Sequence, residues 1–133
     1  MAWPFSKKAA MSGIDFCADT NFAVYHLSGQ ACVQPYAAAA LAVSVVTQLE
    51  LLSKPAMPAA EVAAAELFLE TCEIIELTAP VKAVVLTLRR QYRLKLPDAI
   101  VAATALWLQV PLLTADQGFA RITELDIVLL NPA

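Results

Sequence analysis

The protein has 133 residues, of which 59% are hydrophobic and 16% are charged, and its formal net charge is −3. A chain of this length suits one domain that buries about two thirds of the surface exposed by its unfolded form. The apolar composition excludes a disordered chain. The acidic balance argues against nucleic-acid binding by the molecule as a whole, so any such contact must be local.

No apolar stretch reaches the roughly 18 uncharged residues needed to span a bilayer, because Lys82, Arg89 and Pro97 divide the richest region. Residues 1–12 contain two lysines without an apolar core behind them, which is unlike a signal peptide. We therefore expect a flexible N-terminal extension over residues 1–12 and one domain over residues 13–133.

The cysteines are odd in number, widely spaced and without a C-x-x-C pair. This pattern argues against a disulfide framework or a zinc site and favours a reducing cytoplasm. The residues concerned are Cys17, Cys32 and Cys72.

The first half of the chain alternates short apolar runs with polar turns and alanine-rich stretches. The Ala37–Ala40 run favours helix by propensity. The predicted elements are, in chain order, a strand at 14–19, a helix at 22–27, a short helix within 30–40, a strand at 41–46, a helix from 47 to about 54 and a helix at 58–71.

Prolines mark the helices of the second half, since Pro80 and Pro97 suit the first turn of a helix. The predicted elements are a peripheral strand at 73–77, a helix from Pro80 to about Leu94, a helix at 97–109, a strand at 111–113, a turn and brief helix at 114–123 and a strand at 126–130. Strands separated by helices imply right-handed crossovers. We predict an α/β fold with a mostly parallel five-stranded sheet covered on both faces, a three-layer α/β/α sandwich.

Four acidic residues stand where a predicted strand or turn leads into a helix: Asp19, Glu50, Asp98 and Asp116. The carboxyl ends of parallel strands meet at one edge of a sheet, so all four carboxylates should gather in one cleft. Hard divalent cations bind to such oxygen ligands.

Each acid also has a purely structural interpretation. Thr47 and Glu50 have the spacing of a capping box. Asp98 could complement the positive end of its helix, Asp116 could cap the following helix, and Asp19 could form an Asx-turn. Their common position on one predicted edge of the sheet favours a shared role over four separate caps.

Four motifs of the chain resemble those of PIN-domain ribonucleases, most closely the VapC-type toxins of type II toxin-antitoxin pairs. The motifs are Asp19–Asn21, Ser44–Leu52, Leu96–Ala103 and Leu113–Phe119. The resemblance extends from about Gly13 to the C-terminus. It implies a Rossmann-like, PIN-like sandwich, a cleft that holds Mg²⁺ or Mn²⁺, and hydrolysis of RNA phosphodiester bonds.

By this resemblance, Asp19, Glu50, Asp98 and Asp116 form the catalytic, metal-binding acidic quartet, with Asn21 and Thr114 as polar supports. Carboxylate-held cations would stabilise the attacking and leaving oxygens of a phosphodiester and lower the pKa of a bound water. We expect Asp19, and Asp98 or Asp116, to touch metal directly, and Glu50 to act through water or at the edge. Without a cation, repulsion should keep some of these carboxyls protonated near neutral pH.

RNA contact requires positive charge outside this cleft. Five of the nine basic residues lie in or just after the predicted helix that starts at Pro80. Three of these residues, Lys82, Arg89 and Arg93, are spaced to share one helical face. This face is a candidate phosphate-binding rim or, with equal weight, an ordinary solvated face.

Other functions compete with the nuclease. A haloacid-dehalogenase-like phosphatase needs a second Asp two residues after the first, but this position is Asn21. A receiver domain needs a lysine after a late strand, which the chain lacks near Thr114. A catalytically silent, PIN-like partner-binding module remains the non-enzymatic alternative.

The segment from Gln30 to Ala40 is apolar for a region near the rim of the predicted cleft. Exposed apolar patches mark interaction sites. We expect this segment to contact a protein antitoxin or a second copy of the chain. By the resemblance, the protein is a homodimer.

Overall fold

The computed structural model describes residues 13–133, and the extension expected for residues 1–12 lies outside the described residues. Its strands are β1 (Phe16–Ala18), β2 (Leu41–Ser44), β3 (Glu73–Ile75), β4 (Leu112–Thr114) and β5 (Ile127–Leu129). Its α-helices are α1 (Thr20–Leu27), α2 (Val45–Leu52), α3 (Ala59–Glu70), α4 (Ala79–Gln91) and α5 (Leu96–Leu108). Two 3-10 helices cover Ala31–Tyr36 and Gln117–Arg121.

The strands form one sheet in the order β3-β2-β1-β4-β5, and all four pairings are parallel. The chain builds outwards from β1 to β3 and then crosses to the other side of β1 to add β4 and β5. This reversal makes the gap between the ends of β1 and β4 a topological switch point, where open α/β sheets bind ligands.

Helices cover both faces of the sheet because successive strand side chains point to opposite sides. Cys17, Ala42 and Leu112 point to one face, where the buried sides of α4 and α5 pack. Their neighbours Ala18, Val43 and Leu113 point to the other face, where α1 and α3 pack. The predicted three-layer, parallel α/β fold is confirmed.

Three predicted boundaries are wrong for identifiable reasons. Helix α2 begins at Val45, because the side chain of Ser44 caps it by accepting a hydrogen bond from the Thr47 amide. Helix α4 ends at Gln91, because Tyr92 is extended and its hydroxyl donates to Glu124.

The third error concerns Ala37–Ala40, which does not continue the preceding 3-10 helix. The Ala40 amide donates to the Asp15 carboxylate at 2.9 Å, and the Ala40 carbonyl accepts from the Asp15 amide at 2.8 Å. These long-range bonds outweigh the helix propensity of alanine.

The helices of residues 13–133 include none with the length and apolar character of a membrane span.

Candidate active site

A cleft of about 220 Å³ opens at the carboxyl edge of the sheet, beside the ends of β1 and β4. All four predicted acids line it, although they come from separate parts of the chain. The complete lining is Asp19, Thr20, Asn21, Glu50, Pro97, Asp98, Val101, Asp116 and Phe119. The structure therefore brings the predicted acidic quartet into one cavity.

Asp19 follows β1 directly and caps α1, where its Oδ1 accepts a hydrogen bond from the Phe22 amide at 3.0 Å. Its own amide donates to the Leu113 carbonyl, which ties the end of β1 to β4. Only 5% of Asp19 is exposed. The pKa of Asp19 is raised to about 6, mainly by burial and to a smaller extent by the charge of Asp116, while hydrogen bonds from Thr114 and the amides of Phe22 and Asn21 oppose the rise.

Thr114 connects Asp19 to Asp116. Its buried hydroxyl accepts a hydrogen bond from the Asp116 amide at 3.0 Å, and its hydrogen bond to Asp19 favours the ionised carboxylate. Asn21, in the first turn of α1, is exposed at the cleft. Both residues predicted as polar supports therefore adjoin the acids.

Asp116 caps the second 3-10 helix through a hydrogen bond of 2.8 Å from the Gly118 amide to its Oδ1. A Cβ at residue 118 would lie 2.9 Å from this oxygen, so a larger residue there would force the Asp116 carboxylate to shift. The capping interpretation of Asp116 is correct, whereas Asp19, interpreted as an Asx-turn residue, is the N-cap of α1. Each of these caps uses Oδ1 of the aspartate.

Asp98 lies in the first turn of α5 and makes no capping hydrogen bond there. Burial raises its pKa, as do the charges of Asp116 and Glu50, whereas the charge of Lys95 lowers it. The pKa of Asp19 and that of Asp98 are thus raised mainly by burial and to a smaller extent by neighbouring carboxylates.

Glu50 is an exposed residue in the second half of α2. The capping box predicted for Thr47 and Glu50 does not form, because Ser44 is the N-cap and Glu50 lies beyond the first turn. Its carboxylate instead accepts a hydrogen bond from the hydroxyl of Thr20.

Carboxylate oxygens are the donors that hard divalent cations require, so the chemistry of the cleft fits Mg²⁺ or Mn²⁺. Among residues 13–133, no three His, Cys, Asp or Glu side chains form a group that could hold an ion on their own. A cation in this cleft would therefore need water as a further ligand, as magnesium commonly does when one or two carboxylates bind it.

The predicted basic residues do not line the cleft. Lys82 and Arg89 are exposed on α4, but Arg93 lies beyond the end of that helix, so the predicted face shared by all three does not exist. The Arg93 carbonyl accepts a hydrogen bond of 2.7 Å from Arg121. Lys95, the N-cap of α5, is the basic residue whose charge acts on Asp98.

Sequence reasoning missed Thr20, Gly118 and Phe119 as parts of the site. Thr20 had a usable signal, because it follows Asp19 directly at the start of a helix. The close approach of Gly118 to Asp116 and the position of Phe119 in the cleft depend on the turn after β4 and had no comparable signal.

A family model described as the PIN domain matches residues 16–125. The chain belongs to the PIN domain family. The predicted PIN-domain resemblance is confirmed by this match, and solved VapBC structures share the fold. No curated protein matches the chain significantly by sequence.

Similar solved structures share the PIN fold over most of the chain. A toxin-antitoxin complex from Klebsiella pneumoniae is 28% identical, with a TM-score of 0.74 over 86% of this chain and 96% of the other. VapBC2 from Rickettsia felis, bound to a promoter DNA fragment, is 21% identical, with a TM-score of 0.78 over 89% and 100%. DNA-bound VapBC from Salmonella typhimurium is 18% identical, with a TM-score of 0.76 over 86% and 97%.

Proposed function

We propose that this PIN-domain protein is a Mg²⁺- or Mn²⁺-dependent endoribonuclease and the toxin of a toxin-antitoxin pair. The observation that carries the proposal is the gathering of Asp19, Glu50, Asp98 and Asp116 around one cleft at the switch point of the sheet. Structural caps alone would not require four acids from distant segments to line the same cavity.

Asp19, together with Asp98 or Asp116, would hold the cation, with Glu50 acting through water or at the edge of the site. When bound, the cation would stabilise charge on the attacking and leaving oxygens of the phosphodiester. The hydrogen bonds to Asp19 and Asp116 keep their carboxylates oriented before substrate arrives. A proton and a cation compete for Asp19, so cation binding should strengthen as the pH rises through about 6.

RNA would be held by basic side chains outside the acidic lining of the cleft. Lys82, Arg89, Arg93 and Lys95 are exposed on α4 and in its connection to α5. Lys95 is the strongest candidate for RNA contact at the cleft, because its charge lowers the pKa of Asp98. These contacts would make RNA binding weaken as salt concentration rises.

A protein antitoxin would occupy a second, apolar groove. This groove has a volume of about 460 Å³ and lies between α1, α3 and the 3-10 helix Ala31–Tyr36. Leu27 and Leu67 line it with 39% and 65% of their surfaces exposed. Val33 and Tyr36 come from the segment predicted to be an interface, and the similar structures named above are toxin-antitoxin complexes.

The three cysteines are free thiols in the structure. A reducing compartment that contains RNA, such as the cytoplasm, would suit both this thiol state and the proposed substrate.

The proposed activity is tested with purified protein, structured and unstructured RNA, and either Mn²⁺ or a chelator. We expect internal cutting only with the cation, and a loss of at least about 100-fold in Asp98→Asn, because the variant removes a charged ligand from the cleft. Asp126→Asn, which changes an exposed acid outside the lining, is the matched control. Cutting that is equal in chelator, or that persists in Asp98→Asn, would contradict the proposal.

A further inference from the structure

Thr20 connects α1 to α2 at the wall of the acidic cleft. It is the first residue of α1, immediately after Asp19, and it is half-buried in the cleft lining. Its hydroxyl donates a hydrogen bond to Oε1 of Glu50 on α2. The residue beside one acid of the quartet therefore holds another acid, 30 positions later in the chain.

A second threonine extends this contact into the core. Thr47 is fully buried, and its Oγ1 lies 3.3 Å from Oγ1 of Thr20. A threonine hydroxyl has a single proton, and Thr20 gives it to the carboxylate. Oγ1 of Thr47 is an alternative, more distant acceptor for the Thr20 proton, and this contact keeps the Thr20 side chain beside α2.

Glu50 has more need of such support than the aspartates do. Asp19 and Asp116 are each oriented by a backbone amide. Glu50 has a longer, exposed side chain, and within residues 13–133 the bond from Thr20 is the only side-chain hydrogen bond that it makes. Glutamate loses much rotamer freedom when it is fixed, so an unheld carboxylate would spend little time in the cleft.

We propose that Thr20 is a positioning residue that holds the carboxylate of Glu50 in the cleft, and that Thr47 orients Thr20. This inference rests on the proposed metal-dependent nuclease function. Hydrogen-bonding partners of metal-site carboxylates commonly affect metal affinity or activity by about 10- to 100-fold.

The test compares Thr20→Val, which removes the hydroxyl at nearly constant volume, with Thr20→Ser, which keeps it. We expect Thr20→Val to weaken Mn²⁺ binding, measured by isothermal titration calorimetry, and to lower kcat, each by about 10-fold. KM for RNA should stay within about 2-fold, because Thr20 acts on Glu50 rather than on remote RNA contacts. Thr20→Ser should restore both quantities to within about 3-fold of the wild type.

Thr87→Val is the matched control, since it makes the same change on α4, where the hydroxyl bonds to the Ala83 carbonyl. It should alter neither Mn²⁺ affinity nor kcat. In a Glu50→Ala background, Thr20→Val should have no further effect on Mn²⁺ affinity, because the two residues act as one unit.

The inference is overturned if Thr20→Val matches the wild type, if Thr20→Ser is as defective as Thr20→Val, or if the effects of Thr20→Val and Glu50→Ala are additive. Failure of the proposed function looks different, because wild-type protein would then neither bind Mn²⁺ nor cut RNA. In that case the contact is still tested by chemical unfolding in chelator of the wild type, Thr20→Val, Glu50→Ala and the double variant. Additive effects on unfolding would exclude the Thr20–Glu50 bond.

Discussion

At the scale of single residues, the acids of the cleft combine a structural contact with an electrostatic cost. Asp19 caps α1 with one oxygen, yet its burial beside Asp116 raises its pKa to about 6. Asp98 shows the same direction of shift, with burial as the first cause. Ionised carboxylates in this cleft destabilise the metal-free protein, so a bound cation that neutralises their charge should stabilise the fold.

Asp19→Asn should stabilise the metal-free protein at pH 8 by about 1–3 kcal/mol, because each pKa unit corresponds to about 1.4 kcal/mol. The folded pKa of about 6 exceeds the ordinary 3.8. The stabilisation of the folded protein by the protonated Asp19 carboxyl is therefore fully present below about pH 4 and is lost as the pH rises through about 6. Urea unfolding from pH 4 to 8 measures it.

The variant should lose much of this decline in stability, whereas Asp126→Asn should retain it. An Asp19→Asn curve that runs parallel to the wild-type curve across this range would show that Asp19 does not carry the cost.

At the scale of elements, short strands and well-capped helices set the directions of the acids. Each strand spans three or four residues, and α1, α2 and the second 3-10 helix begin at a side-chain cap that lies at the end of a strand or within two residues of it. The cap at Ser44 starts α2 two residues earlier than predicted. This start places Thr47 and Glu50 one turn apart on the side that faces Thr20.

Ser44→Ala should lower the free energy of unfolding by about 0.5–2 kcal/mol, because it removes the side-chain acceptor of the Thr47 amide. Ser53→Ala changes the exposed residue at the other end of α2 and should cost less than about 0.5 kcal/mol. Equal costs in the two variants, measured by urea unfolding, would contradict the assignment of Ser44 as the cap.

At the scale of the whole molecule, charge and apolar surface are separated. The acidic cleft lies at the carboxyl edge of the sheet, and the apolar groove lies between α1 and α3 on one face. We expect the cleft to be completed by a cation and the groove to be covered by a protein partner.

Manganese at ten times its dissociation constant should raise the unfolding free energy by about 1.4 kcal/mol, because the folded protein binds it and the unfolded chain does not. Differential scanning calorimetry with and without millimolar Mn²⁺ measures the accompanying rise in Tm. Asp116→Asn should show a smaller rise, and KCl of equal ionic strength is the control. A wild-type Tm that does not move would contradict metal binding in the cleft.

The homodimer predicted by family resemblance is checked by light scattering at tens of micromolar protein. We expect twice the mass of the 133-residue chain. A monomeric mass at this concentration would contradict the prediction.

Sequence by itself determined the fold class, the succession of strands and helices along the chain, and the choice of the four acids as candidates. These features leave local signals: β-branched runs, prolines at helix starts, and acids at the junctions between strands and helices. These local signals were enough to predict α1 and the alanine-rich α3. The same local rules failed at Ala37–Ala40 and at the end of α4, where long-range hydrogen bonds from Asp15 and Tyr92 outweigh propensity.

Only the tertiary structure decided how the acids are held. The pairing of β1 with β4, the link from Thr114 to Asp19, and the bond from Thr20 to Glu50 all join residues distant in the chain. Propensity and spacing describe neighbours along the chain. They do not specify which hydroxyl meets which carboxylate once the sheet is formed, because that pairing depends on how the helices pack across it.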